Sequence, residues 1–395
     1  MMSTDLHAFG PRSPVPGPSV LLAATLQHLE SLVAHDTRNP PRKIDTGGIF
    51  DYLQQHLAGF ECTLTDHGAG AISLLAVRGT PRLLFNVHLD TVPDSPHWSA
   101  DPFTLRVEED RAIGLGACDI KGAAAAMLAV ASASEGHCAF LFSSDEEAND
   151  ARCIPNFLKH HPAYRVPSPE SRVPQFKAII VAEPTRSQAV LAHRGIHSVQ
   201  MRFQGRAGHA SGEQGAADSA LHQALRWGAR ALEYADSFRA ESFGSLHGLR
   251  FNVGRLEGGI KANVIAPEAE LKFGFRPLPS MLPDALLADL RALAEPVAAG
   301  FEETFRGPAL PSPEGGRAGD RRGDAERLVA ELELPCGPDV DFWTEAALFS
   351  AAGFTSFVFG PGDIAQAHSA DEWVALDQLG AYADHLYRIV DHGNG

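Results

Sequence analysis

The sequence predicts an α/β architecture interrupted by a compact α+β insertion, on three observations. Short apolar runs suited to buried strands, LLFNV from 83, CAFLFS from 138 and AIIVAE from 178, alternate with helical stretches such as AAAAMLAVA from 123 and the segment near 150–160. That alternation is the mark of α/β layering, in which functional residues gather beyond the carboxyl ends of the strands. After His193-Arg194-Gly195 the texture changes to strand, helix, strand, strand, helix, strand, which predicts an α+β unit over about 197–310. The first pattern then resumes with SFVFGPG at 356–362, so the α/β part is discontinuous, over 20–196 and 311–395.

Taken in order, residues 1–19 are rich in proline and small residues and read as a flexible extension. From Val20, apolar residues at helical spacing (Leu22, Leu26, Leu29, Val33) predict the first helix. Within the insertion, HSVQMRFQG (197–205), LRFNVGRLEG (249–258) and AELKFGFRPLP (269–279) read as strands. GAADSALHQALRWGARALEYA (215–235) and ALLADLRALAEPVAAGF (285–301) read as helices. PSPEGGRAGDRRGD, 311–324, reads as a mobile loop.

A chain of 395 residues has room for two domains and a sizeable core. Hydrophobic residues at 44% and charged residues at 21% are ordinary globular values. There is no bilayer-length apolar run and no signal-like start in residues 1–20, which predicts a cytoplasmic protein with no membrane partner. The five cysteines (Cys62, Cys118, Cys138, Cys153, Cys336) form no CxxC pair, arguing against a disulfide framework or a thiolate zinc site. A net charge of −16 without a basic block makes nucleic acid a poor partner.

The chemistry lies where the strands stop. LLFNVHLD ends in His88 and Asp90; two residues apart on a strand they share a side, so the Asp90 carboxylate could orient the His88 ring. Asp119 stands where a loop becomes a helix in GLGACDIKGAAAAML, a position that by itself suits an N-cap. Glu146 and Glu147 follow FLF, Glu183 follows AIIV, and His368 follows SFVF in GPGDIAQAHSADEW. Each acid alone would pass for surface charge; together they place an imidazole or a carboxylate at successive strand-to-loop junctions. Two histidines and several carboxylates without thiolates suit Zn²⁺ or Co²⁺, with Mn²⁺ less suited. The surplus of carboxylates points to two divalent ions about 3.5–4 Å apart, sharing a carboxylate and a water, with a spare acid as general base.

HLD, CDIKG, DEE, EPT, GHAS, FRPLP and GPGxIxQAHxxDE together resemble the acetylornithine deacetylase family of di-zinc amidohydrolases, over nearly the whole chain from about residue 20. The resemblance implies a three-layer di-zinc peptidase-like catalytic domain with an inserted ferredoxin-like dimerisation and lid domain, working as a homodimer. By motif it assigns His88, Asp119, Glu147, Glu183 and His368 as metal ligands, with Asp119 bridging, Glu146 as general base and Asp90 as orienter. It further implies that His209, in AGHASGEQG, reaches the other subunit's active site to stabilise the oxyanion. Asn263 in GGIKANVIAP, Arg276 in FRPLP and Glu345 in WTEA would meet the substrate. The implied reaction is hydrolysis of an N-acetyl amino acid in arginine biosynthesis. N-acetyl-L-citrulline is favoured as substrate over N-acetyl-L-ornithine, and a desuccinylase or dipeptidase stands behind both. A catalytically silent amino-acid-binding protein on the same fold is the alternative from another class.

Overall fold

The structure, a computed structural model, describes residues 18–148, 151–160, 176–212, 219–295, 297–313 and 318–392. The expected extension thus lies outside the described residues, apart from Pro18 and Ser19, which open the first helix, Pro18–Val33.

A six-stranded sheet forms the larger core, in the order Glu61–Asp66, Ile72–Arg78, Cys138–Ser143, Leu83–His88, Ala178–Val181 and Thr355–Val358. The last four run parallel, so their carboxyl ends share one edge. The first two, which the sequence reading did not single out, join antiparallel. Both faces of the parallel strands are buried, and the two-residue period divides them cleanly. Phe85, Val87, Phe140, Phe142 and Ile180 pack with residues of the helices Pro18–Val33, Gly122–Ala133 and Leu376–His392. Leu84, Leu141, Ile179, Val181 and Val358 pack on the other side with Ile154, Phe157, Ala346 and Phe349. Helix, sheet and helix make three layers. Gly122–Ala133 can lie deep between its neighbours because small residues line it: Ala123 through Ala126 are all fully buried.

A second sheet, of four antiparallel strands, runs Arg250–Gly258, Glu268–Arg276, Ile196–Gln204, Gly300–Gly307. One face packs Val199, Met201, Phe203, Phe273 and Phe275 against Trp227, Leu286 and Leu290 of two helices. The first of these, Ala220–Asp236, is capped by Ser219, whose side chain accepts the His222 N–H; the second, Pro283–Ala292, begins on a proline suited to a first helical turn. The other face of the sheet carries Ser198, Arg250, Asn252, Gly274 and Arg276 and meets the large sheet's carboxyl edge across a cleft.

The chain crosses between the sheets at 193–195 and returns at 307–311. There His193 and Leu310 exchange backbone hydrogen bonds of 2.9 and 3.1 Å. Arg194, fully buried, fastens the crossing: its guanidinium donates to the carboxylate of Asp341 and to the carbonyls of Gly248 (2.6 Å) and His247 (2.7 Å). Every donor of a buried guanidinium needs an acceptor, and carbonyls at a strand turn supply them.

Two expectations are corrected. The segment 311–324 is not all loop, because Ala318–Glu331 is a helix; ion pairs Arg322–Glu326 (3.1 Å) and Arg327–Asp324 line its outer side while Ala325 and Val329 are buried. The helix expected over 285–301 stops at Ala292, and Gly300 and Phe301 already belong to the next strand. Among the described residues no helix is long and apolar enough to cross a membrane.

Candidate metal centre

Side chains from five loops converge at the carboxyl edge of the large sheet. His88 closes its own strand, and its Nδ1 lies 2.9 Å from the carbonyl oxygen of Asp90. A carbonyl can only accept, so in the neutral ring Nδ1 carries the proton and Nε2 offers its lone pair to the cleft. The Asp90 carboxylate stands 3.5 Å from the same nitrogen and helps to raise the ring above an ordinary imidazole. It also accepts the backbone N–H groups of Glu146 (3.2 Å) and Glu147 (3.0 Å) and the amide of Asn39 (2.9 Å). Asp90 therefore faces the His88 ring with both its backbone and its side chain, and the side chain also holds the acid pair.

Asp119 sits on a kinked turn, Ala117–Lys121, entered through Gly116 at φ 77°. A β carbon on Gly116 would come within 2.6 Å of the Thr91 methyl, so the turn needs glycine both for its dihedral and for its space. Glu372, 1% exposed, accepts the backbone N–H groups of Gly116 (3.1 Å), Cys118 (2.9 Å) and Asp119 (2.9 Å) and thereby fixes the turn. Glu372 stands in the quoted motif but received no role from the sequence; the acid adjoining Asp371 shortly after His368 was the available signal.

The ligand atoms then meet. His88 Nε2 is 3.1 Å from Asp119 Oδ1 and 3.8 Å from Glu183 Oε1, and His368 Nε2 is 2.9 Å from Glu147 Oε1 and 3.3 Å from Asp119 Oδ2. Asp119 lies between the two imidazoles, one carboxylate oxygen toward each. Ligand atoms of His88, Asp119 and Glu147 all fall within 4.8 Å of one another. Burial and the charges of Glu147, Glu183 and Glu345 hold the Glu146 carboxyl well above its usual range. Glu183 is raised likewise by burial and by Asp119, Glu147 and Glu345, and Glu147 by burial and Asp119. Burial acts the same way on Asp119, but hydrogen bonds with His368 and His88 outweigh it and hold that carboxyl low. Those contacts in turn raise His368 to about 10, and they raise His88 well above an ordinary imidazole despite its burial.

A divalent cation fits these residues. Among the described residues, the buried Glu183 Oε1 has no hydrogen-bond donor, and the carboxylates crowded around two imidazoles form an oxygen-rich, thiolate-free donor set. The cleft in front holds about 280 Å³ and is lined by Glu146, Glu147, Glu183, Arg276, Trp343 and His368 among others.

Of the remaining expected residues, Arg276 faces this cleft from the four-stranded sheet, its guanidinium donating to the Asp341 carbonyl at 3.5 Å. Glu345 does not line the cleft. It is 2% exposed beneath the cluster, where Ser143 Oγ donates to its Oε2 at 3.0 Å. His209 and Asn263 lie away from the cleft on two paired, exposed loops, with Ala210 N donating to the Asn263 carbonyl at 3.1 Å.

The sequence profile of peptidase family M20/M25/M40 matches residues 84–392. The chain belongs to that family. It is 63% identical over 372 residues to the N-acetyl-L-citrulline deacetylase of Xanthomonas campestris pv. campestris, covering 94% of this chain and 98% of that protein. To the acetylornithine deacetylase of Edwardsiella ictaluri it is 28% identical, covering 80% and 81%. Among solved M20-like folds, the aminopeptidase PepT of Bacillus cereus aligns with a TM-score of 0.68 at 17% identity, over 94% of this chain and 98% of that one. A Bacillus subtilis protein described as a dinuclear metal-binding peptidase of the M20 family aligns at 0.63 and 12% identity, again over 94% and 98%.

Glu345 supplies a test of this family member's charge balance. Burial and the charge of Asp145 push its carboxyl from an ordinary 4.5 up to about 8. A raised folded pKa means that the folded chain keeps a proton which the unfolded chain has lost, so in the metal-free protein Glu345 costs stability as pH rises through that window. Glu345→Gln should match wild type below pH 4.5 and gain on it up to pH 8, by about 3–5 kcal/mol at the upper end. Urea unfolding of both proteins across that range measures it; a difference independent of pH would show that Glu345 ionises normally.

Proposed function

We propose that the protein is a metal-dependent deacetylase that releases acetate from N-acetyl-L-citrulline in arginine biosynthesis. The observation that carries this is the meeting, in one cleft, of a divalent-cation donor set, a carboxylate beside it and an arginine opposite. The choice of amino acid rests on the 63% identity to a deacetylase of that substrate. Residues 20–196 and 311–395 form the catalytic body in this reading, 197–310 the inserted lid and dimerisation unit, and the enzyme works in the cytoplasm.

His88, Asp119, Glu147, Glu183 and His368 would hold two divalent ions, Zn²⁺ or Co²⁺. When bound, such a pair polarises the acetyl carbonyl and acidifies the attacking water. Glu146 takes that water's proton and delivers it to the departing amine nitrogen; a carboxyl already raised by burial suits both the uptake and the release. Arg276 pairs with the substrate's α-carboxylate through two parallel hydrogen bonds. Ile196, Phe305 and Trp343 wall the cleft and exclude bulk water. His209 of the partner subunit donates to the developing oxyanion; the exposure of His209 and Asn263 on adjoining loops supports an action outside their own chain's cleft.

On one metal-loaded preparation, kcat/KM should be higher for N-acetyl-L-citrulline than for N-acetyl-L-ornithine, N-succinyl amino acids and dipeptides. Glu146→Gln should lower kcat by about 10²–10⁴ while its metal content stays at the wild-type value. Near wild-type turnover by that variant would remove Glu146 from the role of base, and preference for acetylornithine would refute the substrate.

Mixing His209→Ala with Glu146→Gln protein should restore activity through hybrid dimers that contain one intact site. Absence of recovery after demonstrated subunit exchange would place His209 outside the partner's chemistry.

A further inference from the structure

We infer that a depression around Gly274, on the open face of the four-stranded sheet, receives the polar end of the substrate side chain and selects a neutral hydrogen-bonding group over an ammonium. The inference rests on the deacetylase reading above and adds to it the residues that choose the amino acid.

Cross-strand pairing defines the floor. Asn252 lies opposite Gly274, Gly274 opposite Ser198, and Ser198 opposite Phe305, forming one row across the sheet. Residues directly opposite on adjacent strands project to the same face. In the neighbouring row Arg250 lies opposite Arg276, and Ile196 opposite Gly307. Because Gly274 has no side chain, its place between Asn252 and Ser198 is a hollow of about 250 Å³. Ile196, Ser198 and Arg276 line this hollow and also the cleft before the carboxylate cluster. The two spaces therefore meet at Arg276. A substrate whose acetyl amide faces the cluster and whose α-carboxylate meets Arg276 has its side chain at the mouth of the hollow.

The chemistry of the lining decides which end group is accepted. Among the described residues, no aspartate or glutamate lines the hollow. The carboxylate beside it, Asp341, is already engaged, receiving the Arg194 guanidinium on Oδ1 and standing 3.6 Å from Arg250 on Oδ2. An ammonium would find two guanidinium groups and no free carboxylate, an electrostatically unfavourable place. A ureido group is neutral, planar and supplied with both kinds of hydrogen-bonding atom. Its carbonyl can accept from the Arg250 guanidinium or the Asn252 amide, and its NH₂ can donate to Asn252 Oδ1 and Ser198 Oγ. Neither the Asn252 side chain nor the Ser198 hydroxyl is committed to another side chain among the described residues.

The test compares N-acetyl-L-citrulline with N-acetyl-L-norvaline, which has the same three side-chain carbons and lacks the ureido group. For wild type, Asn252→Ala, Arg250→Ala and Gly274→Val, the ratio of kcat/KM for the first substrate over the second is measured. Asn252 and Arg250 are exposed, so their truncation leaves the core intact; a β carbon at Gly274 would stand 3.3 Å from the His197 carbonyl oxygen, tight but short of a clash. Each alanine variant should lower the ratio about tenfold, the scale of one lost hydrogen bond, and Gly274→Val should lower it at least as far by filling the hollow. An unchanged ratio in all three, including one that results from equal losses on both substrates, overturns the subsite. Failure of wild type to hydrolyse any N-acetyl amino acid contradicts the deacetylase reading instead. Wild-type preference for acetylornithine over acetylcitrulline overturns the selection of a neutral group.

Discussion

Repulsion among crowded carboxylates is the constraint on which the rest of this structure depends. Asp119, Glu146, Glu147 and Glu183 surround two imidazoles at a largely buried strand edge, and Glu345 lies beneath them. Two like charges about 4 Å apart repel by roughly 4 kcal/mol at the dielectric of a protein surface, and burial enlarges that. A chain left free would spread such groups into water. Here they are attached to loops whose flanking strands are locked into a buried parallel sheet, so the groups cannot separate without breaking the core. Burial first, and the charges of neighbouring carboxylates second, raise the carboxyls of Glu146, Glu147 and Glu183. Divalent cations bound there would relieve that repulsion directly, so the donor set and the raised carboxyls belong to one account.

Acids that do not line the cleft complete the confinement. Asp90 and Glu372 spend their carboxylates on backbone N–H groups, Asp90 on Glu146 and Glu147, Glu372 on Gly116, Cys118 and Asp119. Several amide N–H groups donating to one carboxyl group make strong, directional hydrogen bonds, so each loop is held at its ligand-bearing residue. Buried Lys121, its amine donating to the His35 carbonyl at 2.9 Å, stands behind this shell; burial drives its pKa down to about 7, against the pull of the Glu372, Asp36 and Asp90 carboxyls. The arrangement fixes the distances among the acids and imidazoles of the cluster, and leaves the facing sheet open.

Much of this was legible in the sequence because the parallel strands are short, apolar and end abruptly in a titratable residue, as in LLFNVH and AIIVAE. A buried strand has no reason to end repeatedly in imidazole or carboxylate unless the ends meet. Other features were invisible for physical reasons. The Asp90 carboxylate reaches amides 56 and 57 residues away, and Glu372 reaches amides more than 250 residues away, distances over which local pattern says nothing. Glu345 follows the cleft residue Trp343 closely, yet its side chain lies under the sheet edge, a difference decided by tertiary packing. The helix Ala318–Glu331 was masked by Gly, Arg and Asp residues whose loop-like composition is offset by ion pairs and two buried apolar positions. The hollow at Gly274 depends on strand register, which a glycine in a strand pattern hints at but does not define.

The most direct test of the central claim is calorimetric titration of metal-stripped protein with Zn²⁺, repeated in two buffers of different ionisation enthalpy. If the cluster is an acid crowd waiting for cations, the account predicts two ions per chain and proton release on binding, because raised carboxyls and raised imidazoles must both lose protons to become ligands. A stoichiometry below two, or binding that releases no protons, would contradict it.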